Sequence, residues 1–182
     1  RSAESGSPRL RRASSLLRRS QARNRLESHD QYMSELADLI ASKHSIVFFG
    51  GAGVSTESGI PDFRSSTGLY TTLAGGKYSP EYMLSKSCYD DHLEDFWKFY
   101  RDNLLYPDAK PNKAHLALAK LEKERKLTAV VTQNVDGLHQ AAGSKNVIEL
   151  HGSAHRNSCE DCHRIYGLDL ILETTGAPTC PS

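Results

Sequence analysis

What the sequence lacks narrows it first. No run approaches the roughly 18 apolar residues that a membrane helix needs; the stretch Ile46 to Phe49 is only four residues long. No charge of one sign dominates either. The chain has 23 Lys and Arg against 22 Asp and Glu, a formal net charge of +1, which makes no general case for a nucleic-acid partner. No internal repeat and no secretory signal is visible. Over 182 residues, 38% hydrophobic and 25% charged content excludes collagen-like and wholly disordered chains and fits a globular domain of ordinary size. A soluble, cytoplasmic protein is the expectation.

The near-neutral balance averages two unlike parts. Residues 1–32 carry eight arginines against three acids, which leaves 15 Lys and Arg against 19 Asp and Glu for the rest. This first stretch is rich in Arg and Ser and poor in large apolar residues, so burial cannot offset the entropy of ordering it. It reads as a basic disordered tail. A mitochondrial targeting segment or a basic arm on nucleic acid are the functional alternatives; an upstream sequence ahead of a natural start at Met33 is the plainer one.

From Met33 the pattern changes. Leu36, Leu39 and Ile40 fall at helical spacing. Ile46-Val47-Phe48-Phe49 is a β-prone run without alternation, as expected of a strand buried on both faces of a parallel sheet. Residues 61–82 contain Pro61, Gly68, Gly75, Gly76 and Pro80 and read as a long irregular, and therefore functional, connection. Two helices are expected next, one through Leu93, Phe96, Trp97, Tyr100 and Leu104, the other opened by Pro111-Asn112. A strand over Leu127 to Thr132, a short helix over Asp136 to Ala142 and a strand over Val147 to Leu150 complete an α/β pattern.

Three groups of residues with chemical potential fall at the ends of those strands. Gly51-Ala52-Gly53 allows a tight turn and close approach of backbone N–H groups to a pyrophosphate, although Thr56 stands where a dinucleotide fingerprint has its third glycine. Thr132-Gln133-Asn134-Val135-Asp136 places amides and a carboxylate where ribose hydroxyls or a carboxamide would bind; an Asn/Asp turn capping a helix is the bland alternative. His151-Gly152 follows the last strand, and histidine is the side chain whose ordinary pKa suits general-base work near neutrality. His115, His139, His155 and His163 are taken as structural or surface residues.

The four cysteines divide. Cys159-x2-Cys162 followed by Cys180 has the spacing of a structural zinc site with one ligand short. A disulfide fits poorly with that spacing and the missing secretory signal. Cys88 stands apart as a packed thiol.

Together these residues resemble the sirtuin family of NAD-dependent protein-lysine deacylases, in its bacterial-type branch. The likeness rests on Gly51 through Arg64, Lys110-Pro111-Asn112 with Ala114-His115, Thr132 to Asp136, His151-Gly152 and the cysteine pair, and it runs over residues 33–182. It implies a Rossmann-like parallel sheet with an inserted zinc-ribbon module: residues 33–151 as the first part of the NAD-binding catalytic domain, and 152–182 as part of the zinc module. It further implies Gly51, Ala52, Gly53 and Thr56 near the diphosphate and its ribose, and Asp62, Phe63 and Arg64 in a cofactor loop. Gln133 and Asn134 would lie at the nicotinamide-side ribose, Val135 and Asp136 at the carboxamide, and His151 would act as base. Zinc would bind Cys159, Cys162 and Cys180.

The reaction so implied moves an acetyl group from a lysine-containing protein or peptide to ADP-ribose and releases nicotinamide. The same resemblance leads us to expect a chain that stops inside the zinc module, so that residues 1–182 alone are inactive. The competing readings are a non-catalytic fragment with residual nucleotide or zinc binding, and a zinc-ribbon nucleic-acid module built on the cysteines and the basic tail. A Tyr-x-x-Arg motif, which in the family accompanies removal of acidic acyl groups, is absent, so neutral acyl groups are the expected substrates.

Overall fold

In a computed structural model, residues 30–182 are described, and the tail reading for residues 1–29 lies outside them. Residues up to Lys43 form one unit and His44–Ser182 a second. In the first, residues 30–42 are helical (α1); residues 30–32, counted with the tail on composition, therefore belong to this helix. Gln31 Nε2 donates to Glu35 Oε1 at 3.0 Å one turn on. Leu36 and Leu39 stand exposed.

The second unit is built on a parallel sheet in the order β1-β2-β3, formed by Ile46–Gly50, Leu127–Thr132 and Val147–Glu149. Gly50 pairs with Thr132, and Thr132 with Glu149. The three strands thus end side by side, and every loop that leaves them emerges on one edge. Two bonds prolong the ladder past those ends: Gln133 N–H to Gly50 O at 3.0 Å and Leu150 N–H to Thr132 O at 2.9 Å.

β2 is the central strand, with Leu127, Ala129, Val130 and Thr132 all buried. The expectation that β1 is buried on both faces is wrong: Val47 is 57% and Phe49 62% exposed. An apolar run looks the same whether one face or two are covered, and among the described residues nothing covers this one.

The β1–β2 connection opens with a 3-10 helix, Ala52–Ser58, then α2 (Leu69–Thr72), α3 (Pro80–Met83), α4 (Lys86–Asp91), α5 (Leu93–Leu104) and α6 (Lys113–Lys123). The stretch 61–82 is therefore not wholly irregular. α3 and α4 begin at Ser79 and Ser85, whose hydroxyls accept from the N–H groups of Tyr82 and Cys88, the N-cap arrangement that satisfies otherwise orphaned donors. α7 (Leu138–Ala141) joins β2 to β3.

After β3 come two-residue strands β4 (Asn157–Ser158) and β5 (Ile165–Tyr166), antiparallel to each other, and α8 (Leu168–Glu173). Ile171 of α8 packs with Leu105 and Ala154, flanked by Trp97, Tyr100, Val135 and Leu168. Among the described residues, no helix is long and apolar enough to cross a membrane.

Candidate active site and metal centre

The strand ends frame a cleft of about 720 Å³, within the roughly 300–1,000 Å³ usual for small-molecule and cofactor sites. Ala52, Gly53, Asp62, Phe63, Arg64, Gln133, Asn134, Val135, Asp136 and His151 all line it. Two residues expected there do not line it. Gly51 lies at the mouth of the turn, where an added Cβ would come within 3.3 Å of Gln133 Oε1. Thr56 turns its hydroxyl back to Gly53 O at 3.0 Å. A Cβ on Gly53 would meet nothing within 4 Å, so open space adjoins this stretch of backbone.

A buried polar network ties the turn to the β2 loop. The Ser55 hydroxyl donates to Asp136 Oδ2 at 2.7 Å, while Asn134 Nδ2 reaches Ser55 Oγ at 3.0 Å and Asp136 Oδ2 at 3.2 Å. The other oxygen, Asp136 Oδ1, accepts the Leu138 N–H at 2.9 Å, and the Asn134 N–H bonds Thr132 Oγ1 at 3.0 Å. Ser55 is fully buried and Asn134 nearly so. Hydrogen-bonded polar groups linked in this way favour one geometry, so the side of the cleft carrying Asp136 is preorganised.

The loop bearing His151 is stapled to the same turn. Ala154 N–H donates to Val135 O at 3.0 Å, and His155 Nε2 lies 3.1 Å from Asp136 O. Gly137 has φ +70°, and a Cβ there would sit 2.8 Å from the His155 ring, so only glycine suits this position. Arg156 pairs with the largely buried Glu149 of β3 at 2.6 Å. His155, read from sequence as structural or surface, has this bridging place.

The cofactor-loop residues fold back on α2. Leu69 N–H bonds Asp62 O at 2.7 Å and Tyr70 N–H bonds Phe63 O at 2.9 Å. The Ser65 hydroxyl and backbone N–H hold the Asp62 carboxyl below its ordinary pKa. Arg64 lies over the Tyr70 ring at 5.6 Å. Tyr70, Leu84, Tyr100, Asn103 and Tyr106 complete much of the wall, and burial raises the phenol pKa of Tyr100 and Tyr106. Sequence reading did not assign these to the site; Tyr100 was seen only as part of a helical apolar face.

The sulfurs of Cys159, Cys162 and Cys180 lie within 4.8 Å of one another, and Cys162 and Cys180 are 3.6 Å apart. All four cysteines of the chain are free thiols. A tetrahedron with metal–sulfur bonds of ~2.3 Å has edges of about 3.8 Å, so the three thiols fit three of its corners. The Tyr166 hydroxyl, 3.1 Å from Cys180 Sγ, and the Ser182 backbone N–H draw that thiol down to about 6, favouring the thiolate that binds metal. Cys88 is fully buried against Met83, as a packed thiol should be.

The Sir2 family model matches residues 51–182. The chain belongs to the Sir2 family. Among curated Sir2 relatives, the NAD-dependent protein deacetylase of Clostridium acetobutylicum is 56% identical over 149 residues, covering 81% of this chain and 61% of the relative. That of Clostridium tetani is 62% identical over 137 residues, covering 75% and 56%. Solved Sir2 structures agree. A Sir2 histidine-to-alanine variant with deacetylated p53 peptide and 3′-O-acetyl ADP-ribose superposes with a TM-score of 0.68 at 40% identity, over 78% of this chain and 56% of that one. A Sir2–p53 peptide–NAD+ complex gives 0.66 at 41% identity, over 82% and 59%. The chain thus spans about 60% of the length of the Sir2 proteins it matches.

Proposed function

We propose that the protein is an NAD-dependent protein-lysine deacetylase that transfers the acetyl group of an acetyl-lysine protein or peptide to ADP-ribose and releases nicotinamide. The observation that carries this reading is the convergence of the 52–64 segment, Gln133–Asp136 and His151 on one cleft. The names of its relatives point the same way.

In this reading the backbone of Gly51, Ala52 and Gly53, with Thr56 beside it, receives the diphosphate of NAD. Gln133 and Asn134 hold the ribose nearest the nicotinamide. Val135 and Asp136 orient the carboxamide, and the Ser55–Asn134–Asp136 network keeps that end fixed. Asp62, Phe63 and Arg64 cover the bound nucleotide. His151 accepts a ribose hydroxyl proton, a role that suits an imidazole standing free at the edge of the cleft. Orientation of two substrates supplies much of the rate. Zinc bound by Cys159, Cys162 and Cys180 serves structure, because the 157–182 segment has too little core of its own.

Neutral acyl groups are the expected cargo. A buried carboxylate needs a cationic partner. Arg64 on the cleft wall lies over the Tyr70 ring in the cofactor loop, and Arg101 of α5 spends its guanidinium on the carbonyls of Gly176 and Thr175 at 2.8 and 2.9 Å.

The test is nicotinamide release from NAD by the intact protein, with acetylated, succinylated and unmodified peptides. Release that depends on the acetylated peptide is expected. No release with any peptide would defeat the proposed activity; a succinyl preference would defeat only the specificity.

A further inference from the structure

Asn112 caps α6, and every polar atom of this residue is engaged at the helix start or on a distant loop; its carbonyl accepts the Leu116 N–H at 3.1 Å. Its Oδ1 accepts the N–H groups of Ala114 and His115 at 2.9 and 3.4 Å, and its own N–H donates to His115 Nδ1 at 3.3 Å. That closes a capping box at the start of the helix. The amide nitrogen, which capping does not require, reaches across 58 residues of sequence to Val54 O at 2.7 Å.

Val54 lies in the 3-10 helix between Gly53, which lines the cleft, and Ser55, which binds Asp136. A 3-10 helix has poorer hydrogen-bond geometry than an α-helix and rarely runs beyond three or four residues; this one has seven. Its hold on position must come from outside. Two neighbouring residues supply it: Ser55 is gripped by Asn134 and Asp136 of the β2 loop, and Val54 by Asn112 of α6.

Asn112 is itself held from behind. Accepting a bond at Nδ1 requires that the neutral His115 ring carry its proton on Nε2. His115 is fully buried against His139, ring centroids 4.7 Å apart, and His139 in turn against Phe48 of β1 at 5.9 Å. The cap is thereby anchored to the sheet, not only to its own helix.

We propose that Asn112 is a positioning residue for the nucleotide-binding turn: through Val54 it sets where the Ala52–Gly53 backbone faces the cleft, and so contributes to NAD affinity separately from its capping of α6. The proposal rests on the cleft being an NAD site. It separates two uses of one side chain, and the variants Asn112→Ser and Asn112→Asp divide them. Both keep an oxygen for the Ala114 and His115 N–H groups, and neither has the amide donor that reaches Val54.

The experiment measures thermal unfolding and NAD binding by titration calorimetry on the intact protein. Asn112→Ser and Asn112→Asp should melt close to wild type and lose NAD affinity about 10-fold, the scale of one lost hydrogen bond. Asn112→Ala should lose affinity and melt lower. Wild-type affinity in the Ser and Asp variants would overturn the proposal, as would a loss of stability without a loss of affinity. If the wild-type protein binds no NAD, the proposed function fails instead. Asn112 is then judged by amide hydrogen exchange at residues 54–56: faster exchange in Asn112→Ser upholds its hold on the turn, and unchanged exchange overturns it.

Discussion

The strand ends and the cysteine module are neighbours built on opposite principles. Around residues 132–139, Thr132, Asn134, Leu138 and His139 are buried, and hydrogen bonds through Ser55 and Asp136 tie the β2 loop to the turn after β1. In residues 157–182 two strands have two residues each, and Ile171 is the one buried large apolar side chain. The first region takes its geometry from the sheet. The second borrows its support: Arg101 and Glu94 of α5 bind the backbone of residues 175–177, and Ile171 packs on Leu105 and Ala154. A site that must hold reacting groups in place is put where the core already fixes the backbone; a module held from outside is free to depend on a metal.

The sharpest way to break that comparison is chemical. His151→Ala should leave the sheet and the Asp136 network intact, since the side chain stands exposed at the cleft edge. Deacetylation by the intact protein should nonetheless fall by ~10²–10⁴-fold, the usual worth of a general base. Steady-state rates with saturating NAD and acetylated peptide decide it. Near wild-type turnover would remove the role given to His151. His139, read from sequence as structural or surface, cannot take over that role: it is 1% exposed and packed between Phe48 and His115.

Metal removal should separate the two regions. A chelator, or Cys159→Ser, should take away the metal bonds proposed to hold residues 157–182, because a metal bound there would supply folding free energy. Hydrogen exchange is expected to rise across β4, β5 and the 174–180 segment while Val130 and Val131 of β2 stay protected. Simultaneous loss of protection in β2 would mean that the sheet leans on the module, contrary to the contrast drawn above.

Much of the sheet region was legible in the sequence, and the reason is periodicity. α5, α6 and the three strands are long enough, or apolar enough, for their patterns to show. α2, α3 and α4 have four to six residues, too few for a 3.6-residue repeat; Ser79 and Ser85, as N-caps, were the signals that would have found two of them. The 3-10 helix over Ala52–Ser58 was read only as a tight turn after Gly51, because a 3-10 segment has no apolar periodicity to mark its length.

The site divides along a different line. Gln133, Asn134, Asp136 and His151 were readable because polar side chains cluster at strand ends. Asn112 was read as a helix start and as part of the family likeness, and His155 as structural or surface; neither was given its bridging contact, because each meets a backbone carbonyl of another segment, Val54 and Asp136 respectively. Such contacts leave no pattern in one sequence.

Acid should weaken the sheet region through a specific pair. Burial lowers the pKa of both His115 and His139 below the ordinary 6.5; for His139 the neighbouring His115 lowers it further, and Asp136 acts in the opposite sense on both. The unfolded chain therefore binds protons that the folded one resists. Their contribution to stability is complete above 6.5 and is lost as pH falls below it, toward the folded values. Urea midpoints should drop between pH 7 and pH 5, and His139→Leu, which removes one of the two buried rings, should flatten that slope. An equal slope in the variant would assign the acid sensitivity to carboxylates elsewhere.

The smallest effect tests how the module is held. Arg101 forks onto Gly176 O and Thr175 O, and Glu94 Oε1 accepts the Ala177 N–H at 3.3 Å, so α5 clasps the segment just before Cys180. Arg101→Ala removes two charge-assisted hydrogen bonds, worth about 1–3 kcal/mol locally. Arg101→Lys should recover only part, because a single ammonium cannot reproduce the planar fork. The expected result is faster metal loss to a chelator and faster proteolysis within residues 174–180, in the order Ala, then Lys, then wild type. Discrimination between acetyl- and succinyl-peptides should stay unchanged, because a guanidinium committed to two carbonyls is not reading the acyl group. A shift in acyl preference without any change in metal retention would reverse the assignment, placing Arg101 in substrate selection and leaving the module to hold itself.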